Sequence, residues 1–436
     1  MNYRESVAYL YGLGNEIQTM KFGLETTRAI LAGLGGPQED FPCILVSGTN
    51  GKGSAASFIQ HSLVEAGLDT GLFTSPHLER IEERIRINQN DIGSEMFARH
   101  FTAVLDASLS LGLANHPTFF ELITCTALHA FSRMDVEAAV LEVGMGGRLD
   151  STNAVEPVLS VITRIGLDHQ RYLGETIDLI AAEKAGIMRR DVPAVSSPQT
   201  PEASTVLEKA ALEAGAPLYF LASDEYQVTG SRKGCYRFLF GDREYQLGVP
   251  GIHQVENSAL ALKSLDVLRR RGWKIALEAA RAGIEGMERR GVIEIVRGEP
   301  KIVLDGGHNR DAALSLGRFL DSHFDQPLTL VFGMMKDKDI KEVISILEPL
   351  FAKIILVPLK SRRAFSLREL KAHIPDGVEA ESAGSALDQA EGFGHPVVVA
   401  GSFYLAGEIR TLLRKRGRTF RSKREHNWGP ARTAPE

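Results

Sequence analysis

Cys43-Ile44-Leu45-Val46-Ser47-Gly48-Thr49-Asn50-Gly51-Lys52-Gly53-Ser54 decides the fold. A short apolar run reads as a buried strand, a glycine-rich turn follows, and residues 55–66 continue at helical spacing with Gly67 placed to end the helix. Strand, turn and helix together make a phosphate cradle. Gly48, Gly51 and Gly53 carry no Cβ, so the backbone can fold tightly and aim N–H groups at an anion on the helix N-terminus. Lys52 adds a mobile positive charge for the outer phosphates. The pattern departs from G-x-x-x-x-G-K-[ST]: only Thr49 and Asn50 separate Gly48 from Gly51-Lys52, and Gly53 holds the hydroxyl position with Ser54 after it. Alone, such a turn is often a surface loop; the flanking strand and helix argue for a nucleotide.

Length and composition set the outer bounds. A chain of 436 residues predicts two or three domains with room for large cores. Lys+Arg 50 against Asp+Glu 55 leaves a net charge of −5, which argues against a nucleic-acid partner. Cys43, Cys125 and Cys235 form no C-x-x-C pair and read as free thiols in a reducing cytoplasm. No signal-peptide pattern opens the chain and no apolar run is long enough to span a bilayer, so no membrane partner is expected.

Before the phosphate loop, residues 1–40 read as two helical pieces around Met20-Lys21-Phe22-Gly23-Leu24-Glu25. After it, Leu72-Phe73 ends a second strand and leads into Thr74-Ser75-Pro76-His77-Leu78, where Pro76 leaves Ser75 and His77 on a loop. The charge-crowded residues 79–88 read as a solvated face without chemistry. Thr118-Phe119-Phe120-Glu121 heads an apolar helix, its paired phenylalanines reading as core. Residues 138–144 form a buried-strand pattern with Glu142 near its C-terminal end; a carboxylate there is costly unless paired or bound to a metal, which favours a functional role. The loop Gly144-Met145-Gly146-Gly147-Arg148-Leu149-Asp150 lacks the third glycine of a dinucleotide fingerprint. His169, just beyond the next strand, is either a metal ligand or a loop histidine. Ile177, Ile180, Ala181 and Lys184 share one helix face, which puts a lysine on an apolar stripe. Burial would leave part of that amine neutral and reactive, including toward carbon dioxide, whereas a snorkelling lysine would keep its head in water.

Residues 235–249 read as a β-hairpin turning at Gly241-Asp242, followed by a long amphipathic helix that begins near His253 and Asn257. A domain boundary is expected between residues 287 and 300. Short apolar strands beyond it predict a second, smaller Rossmann-like sheet whose strand ends carry Asp305-Gly306-Gly307-His308-Asn309 and Gly401-Ser402-Phe403-Tyr404. The division expected is 1–290, 291–413 and a basic, disordered tail at 414–436.

Together these motifs resemble the folylpolyglutamate synthase and dihydrofolate synthase family of the Mur ligase superfamily. The resemblance implies an α/β fold: a P-loop ATPase domain with a doubly wound sheet, plus a smaller Rossmann-like glutamate-ligase domain. It implies that Gly48, Thr49, Asn50, Gly51, Lys52, Gly53 and Ser54 hold ATP, joined by Asn257 and Asp305. It implies two magnesium ions held by Ser75, Glu142, His169 and a carbamate on Lys184. Lys21, Phe22, Gly23, Thr118, Phe119, Phe120, Glu121, Leu149, Asp150 and Ser151 would hold the pterin, while His308 and Ser402 would lie at glutamate. The family's Gly-Arg before the second domain is Gly291-Val292 here, with Arg289 or Arg290 as the substitute, and its Ala-His-Asn-Pro is Gly307-His308-Asn309-Arg310.

The implied reaction is ATP-dependent amide formation between a pteroate or folyl carboxylate and the amine of L-glutamate, through an acyl phosphate, by a cytoplasmic monomer. Lys52 and Lys184 would act in catalysis with His308 and Ser402. A peptidoglycan-type Mur enzyme would need a UDP-binding domain ahead of Gly48. A P-loop kinase or switch is the alternative from another class, and it leaves Lys184 and the second sheet unexplained.

Overall fold

The computed structural model describes residues 1–14, 23–112, 116–232, 234–361 and 363–420. Contacts divide the chain into two units, Met1–Glu225 with Asn257–Ile284, and Tyr226–Glu256 with Glu285–Glu436. Among the described residues no helix is long and apolar enough to cross a membrane.

The first unit is built on a sheet of eight strands: β1 Cys43–Ser47, β2 Thr70–Phe73, β3 Ile85–Ile87, β4 Asn90–Asp91, β5 Ala138–Glu142, β6 Pro157–Ile162, β7 Ala194–Ser196 and β8 Leu218–Phe220, in the order β4-β3-β2-β5-β1-β6-β7-β8. From β2 to β8 every pairing is parallel, and β3 and β4 add an antiparallel edge. Both faces of the central strands are covered, so β1 and β5 are buried at every residue. That is why they read as continuous apolar runs rather than alternating ones. Successive strands depart to opposite sides of β1, and a crevice at the carboxyl ends of the central strands is where such sheets take ligands. The helix Lys52–Glu65 follows β1 directly, and Phe119–Arg133 packs beside Ser94–Ser110, whose Phe97 and Phe101 rings stack.

The charged residues 79–88 are not a solvated face. Glu82, Glu83 and Arg84 are all buried. Glu83 accepts the backbone N–H groups of Leu78, Glu79 and Arg80, and Glu82 accepts the hydroxyls of Tyr3 and Ser94. Arg84, 2% exposed, donates to His77 Nδ1 at 2.8 Å and lies over the Phe119 ring. A charge that is fully partnered can be buried, and composition alone does not reveal partners.

The second unit carries the antiparallel strands β9 Tyr226–Arg232, β10 Cys235–Phe240 and β11 Arg243–Gln246, in the order β11-β10-β9. Its larger sheet comprises β12 Glu294–Val296, β13 Ile302–Leu304, β14 Thr329–Phe332, β15 Lys353–Leu356, β16 Val378–Glu379 and β17 Val397–Ala400, ordered β12-β13-β17-β14-β15-β16. Only β12 runs antiparallel to its neighbour.

The contact grouping differs from the expected division at residues 226–256, and the expected tail is shorter than 414–436. Residues 226–256 group with the second unit rather than with everything before residue 290, because the hairpin packs there: Gly234 closes on the Phe319 ring and Gly248 on the backbone of Glu285 and Met287. Residues 414–420 are not a disordered tail. The helix Phe403–Lys415 runs into them, Arg416 pairs with Asp388 and Glu391, and Arg418 pairs with Glu391. Phe420 bridges to Val296 under the Arg410 guanidinium, and Arg297 N–H donates to Thr419 O at 2.9 Å. Arg421, Lys423 and Arg424 lie outside the described residues.

Candidate active site

The phosphate loop turns from β1 into its helix through two backbones that only glycine adopts without strain. Gly48 has φ +141° and Gly51 φ +86°. A Cβ on Gly48 would strike Thr163 Oγ1, and one on Gly51 would strike Asn257 Oδ1. The second approach brings Asn257 to the loop from far along the sequence. The first helical bond runs from Ala55 N–H to Gly51 O at 2.8 Å, so the N–H groups of Lys52, Gly53 and Ser54 have no intrahelical acceptor. Thr49 and Asn50 aim their N–H groups elsewhere, both toward Arg164 O, at 2.9 and 3.3 Å. Lys52 Nζ curls back to Thr49 O at 3.2 Å.

Three loops meet at the carboxyl ends of β5, β1 and β6. Glu142 pairs in register with Val46 on β1, and its Oε2 accepts Ser75 N–H at 3.1 Å. Ser47 Oγ donates to Gly146 O at 2.7 Å, tying the loop after β5 to the end of β1. Lys184, on the helix Ile177–Ala185, is 4% exposed, and its Nζ donates to Gly48 O at 2.6 Å. It is therefore buried, not snorkelling. Burial holds its amine well below the usual lysine range, the nearby Lys52 charge adds to this, and Asp168 and Asp150 oppose it. Past β6, His169 sits at φ +52° and caps the short helix Gln170–Leu173, with its own N–H donated to Asp168 Oδ1. The chain thus brings Ser75 to Glu142, Lys184 and Asn257 to the phosphate loop, and His169 to the neighbouring strand end.

The residues expected at the pterin divide. Phe120 presses on Gly144, where a Cβ would lie 2.5 Å from the ring, and also meets Phe73. Phe119 is buried against Tyr11 and Arg84, while Leu149 is half-buried. Thr118 and Glu121 are occupied with each other as a capping box, each side chain accepting the other's backbone N–H. Asp150 spends its carboxylate inside its own loop on Met145 N–H and on Thr152 N–H and Oγ1, at the head of the Ser151–Ala154 turn. Burial nonetheless pushes its carboxyl up from the usual range. Gly23 is described, and Lys21 and Phe22 lie outside the described residues.

In the second unit Asp305 follows β13, buried, with its two oxygens accepting Ile293 N–H at 2.9 Å and Gly307 N–H at 2.8 Å. Burial pushes its carboxyl up to about 6 against the pull of those bonds. His308 Nδ1 lies 3.1 Å from Gly306 O, which can only accept, so the proton sits on Nδ1. Ser402 follows β17 and caps the helix Phe403–Lys415, accepting Tyr404 N–H at 3.1 Å. Arg289 lies in the connection ahead of β12.

Sequence reasoning left His77 on its loop without a role, read Arg84 as part of a solvated face, and gave Thr163 and Gln199 no role. Thr163 and Gln199 take their place from partners distant in the chain, Ser47 for the one and Thr163 and Ile165 for the other.

The Mur ligase middle domain family matches residues 46–265, and the glutamate ligase domain family of Mur ligases matches residues 289–403. The chain is 33% identical to a folylpolyglutamate synthase of Lacticaseibacillus casei over 95% of its own length and 99% of that protein. It is 32% identical to the dihydrofolate synthase/folylpolyglutamate synthase of Bacillus subtilis over 91% of its length and 96% of that protein. The structure of E. coli FolC in complex with DHPP and ADP superposes with a TM-score of 0.85 at 29% identity, covering 96% of this chain and 99% of that one.

Proposed function

The chain belongs to the folylpolyglutamate synthase and dihydrofolate synthase family of Mur ligases, and from that premise we propose how its residues join L-glutamate to a pteroyl or folyl acid at the expense of ATP. It is an ATP-dependent glutamate ligase, and the route proposed for its C–N bond runs through an acyl phosphate. The observation that carries the residue assignments is the buried Lys184 amine held against the phosphate loop.

In this reading the N–H groups of Lys52, Gly53 and Ser54 receive the nucleotide phosphates, the Lys52 ammonium swings from Thr49 O to the outer phosphate, and Asn257 closes the turn from the side. Thr49 and Asn50 shape the loop rather than touch phosphate, since their N–H groups are already given to Arg164 O. A carboxylate is a poor electrophile, so phosphorylating it comes first and attack by the glutamate amine second. Both steps gather negative charge on oxygen, and fixed donors are worth most there.

The donor set suits magnesium. Glu142 and Ser75 are hard oxygen donors, with His169 at the adjoining strand end. Magnesium commonly takes much of its coordination from phosphates and water rather than from a full set of protein ligands. Lys184 fits a carbamate: a neutral amine adds carbon dioxide with loss of one proton, and the remaining N–H can keep its bond to Gly48 O. When bound, two magnesium ions would neutralise charge building on the transferred phosphoryl group.

Phe119, Phe120, Leu149 and Ser151, with Gly23, Lys21 and Phe22, are proposed to line the pterin site. Thr118, Glu121 and Asp150 would act there by fixing the backbone. In the second unit Asp305 and Arg289 are assigned to the nucleotide, and His308 and Ser402 to glutamate. The three buried free thiols support a reducing cytoplasm, and we place the protein there as a monomer.

Product mass spectrometry with coupled ADP detection tests the reading. ADP should form only when L-glutamate and either dihydropteroate or a reduced folate are both present, with a glutamyl amide as product. ATP hydrolysis without those acceptors, and no amide, would favour a kinase or switch. Offering each pterin separately identifies the acceptor.

A further inference from the structure

We infer that Gln199 is a positioning residue for nucleotide binding, acting through the turn at residues 163–166 on the phosphate loop; the inference rests on the nucleotide assignment above. Gln199 stands just past β7, half-buried. Its Oε1 accepts Ile165 N–H at 2.9 Å while its Nε2 donates to Thr163 O at 3.0 Å. Only one orientation of the amide serves both partners, an acceptor toward the N–H and a donor toward the carbonyl. A further bond from Nε2 to Ser196 Oγ at 3.1 Å steadies the side chain. The ladder between β6 and β7 ends at Ile162 and Ser196, with Ser197 N–H reaching Ile162 O. Beyond that point Gln199 supplies the next two rungs from a side chain.

The clamped turn is itself docked on the phosphate loop. Thr163 gives both its N–H and its hydroxyl to Ser47 O, at 2.8 and 3.3 Å. Arg164 O receives Thr49 and Asn50 N–H, and Thr49 Oγ1 bonds both to the N–H and to the carbonyl of Gly166 at 3.0 Å. The first half of the phosphate loop is therefore shaped by residues 163–166, which leaves the helix-side amides to face a ligand. Loops that bind phosphate through backbone N–H groups gain affinity from being fixed beforehand. If Gln199 is lost, Thr163 O and Ile165 N–H must find other partners, and any shift of Arg164 O carries the Thr49 and Asn50 amides with it. The same turn leads into Asp168 and His169.

The test compares Gln199→Leu, which removes both bonds, and Gln199→Glu, which keeps the acceptor and loses the donor, with Gln60→Leu. Gln60 is a buried amide of the same unit that bonds Thr70 Oγ1 and Asn88 O, in the second half of the helix Lys52–Glu65. Calorimetry reads ADP affinity, and amide hydrogen exchange in the ADP-free protein reads Thr49 and Asn50. Both Gln199 variants should lose protection at those two amides and bind ADP about tenfold more weakly or worse. Gln60→Leu should melt earlier yet keep both properties. Thr49→Val should reproduce the Gln199 loss, and Thr49→Ser should restore protection and affinity. Gln199 variants that keep the protection, or lose it while binding ADP as before, overturn the inference. A wild-type chain unable to bind ADP would remove the nucleotide assignment and this role with it, a result distinguishable because the exchange pattern would stand.

Discussion

The two units both present polar residues at the carboxyl ends of parallel strands, but they hold them in different ways. At the edge of β1, β5 and β6 the bonds are long in sequence: Lys184 to Gly48, Ser47 to Gly146, Thr49 to Gly166 and Ser75 to Glu142. At the edge of β13 and β17 most of them are local: Asp305 to Gly307, His308 to Gly306, Asn309 to Ala312 and Ser402 to Tyr404. The first edge is assembled by the tertiary fold, so a change at one residue should travel. The second is assembled from turns and helix caps, so a change should stay near its origin.

Lys184→Ala is the hardest test of the first half of that contrast. It should lower the ligation rate by about 100-fold or more, with partial recovery when short carboxylic acids are added to fill the missing carboxylate. Steady-state rates with and without the acid decide it, and unchanged activity would reject the carbamate. Next in size is Gly48→Ala, which places a methyl group on Thr163 Oγ1 at φ +141°. It should cost about 2 kcal/mol or more in denaturant unfolding. It should also disturb amides as far along the chain as residue 166, whereas disturbance confined to residues 47–51 would break the contrast.

Asp305→Asn probes the other edge. An amide cannot accept both N–H bonds with separate oxygens, so about 1 kcal/mol should be lost, and exchange changes should stay within residues 291–309. The titration has a definite sign. Below the ordinary aspartate range both folded and unfolded chains hold the proton; between that range and about pH 6 only the folded chain does, so unfolding releases a proton. The stability advantage of wild type over the variant should therefore fall as pH rises through that window and level off above it. An advantage that grows across the window would contradict the burial of this carboxyl.

The contrast also explains what could be read in advance. Strand, glycine turn, lysine and helix at residues 43–66 are local features, and the loop is where they put it. The hairpin at Gly241-Asp242 and the strand Ile302–Leu304 were equally legible, because turn chemistry and apolar runs need no distant partner. Lys184 was visible as an anomaly of spacing, and only the coordinates supply Gly48 O as its acceptor. Glu82, Glu83 and Arg84 were misread because charge in a sequence says nothing of what faces it. Gln199 gave no signal at all: an amide after a strand is ordinary until Thr163 and Ile165 are seen on either side of it. The grouping of residues 226–256 with the later unit was hidden for the same reason, since a hairpin does not advertise the surface it packs on.

The Phe420 bridge to Val296 has a practical corollary for anyone producing this protein. β12 is the outermost strand of its sheet, and residues 418–420 lie along it. An uncovered strand of that kind is a template for pairing between molecules. Clones ending near residue 415 would remove this cover and tend to precipitate, so an affinity tag belongs beyond Phe420 rather than in place of the segment that ends there.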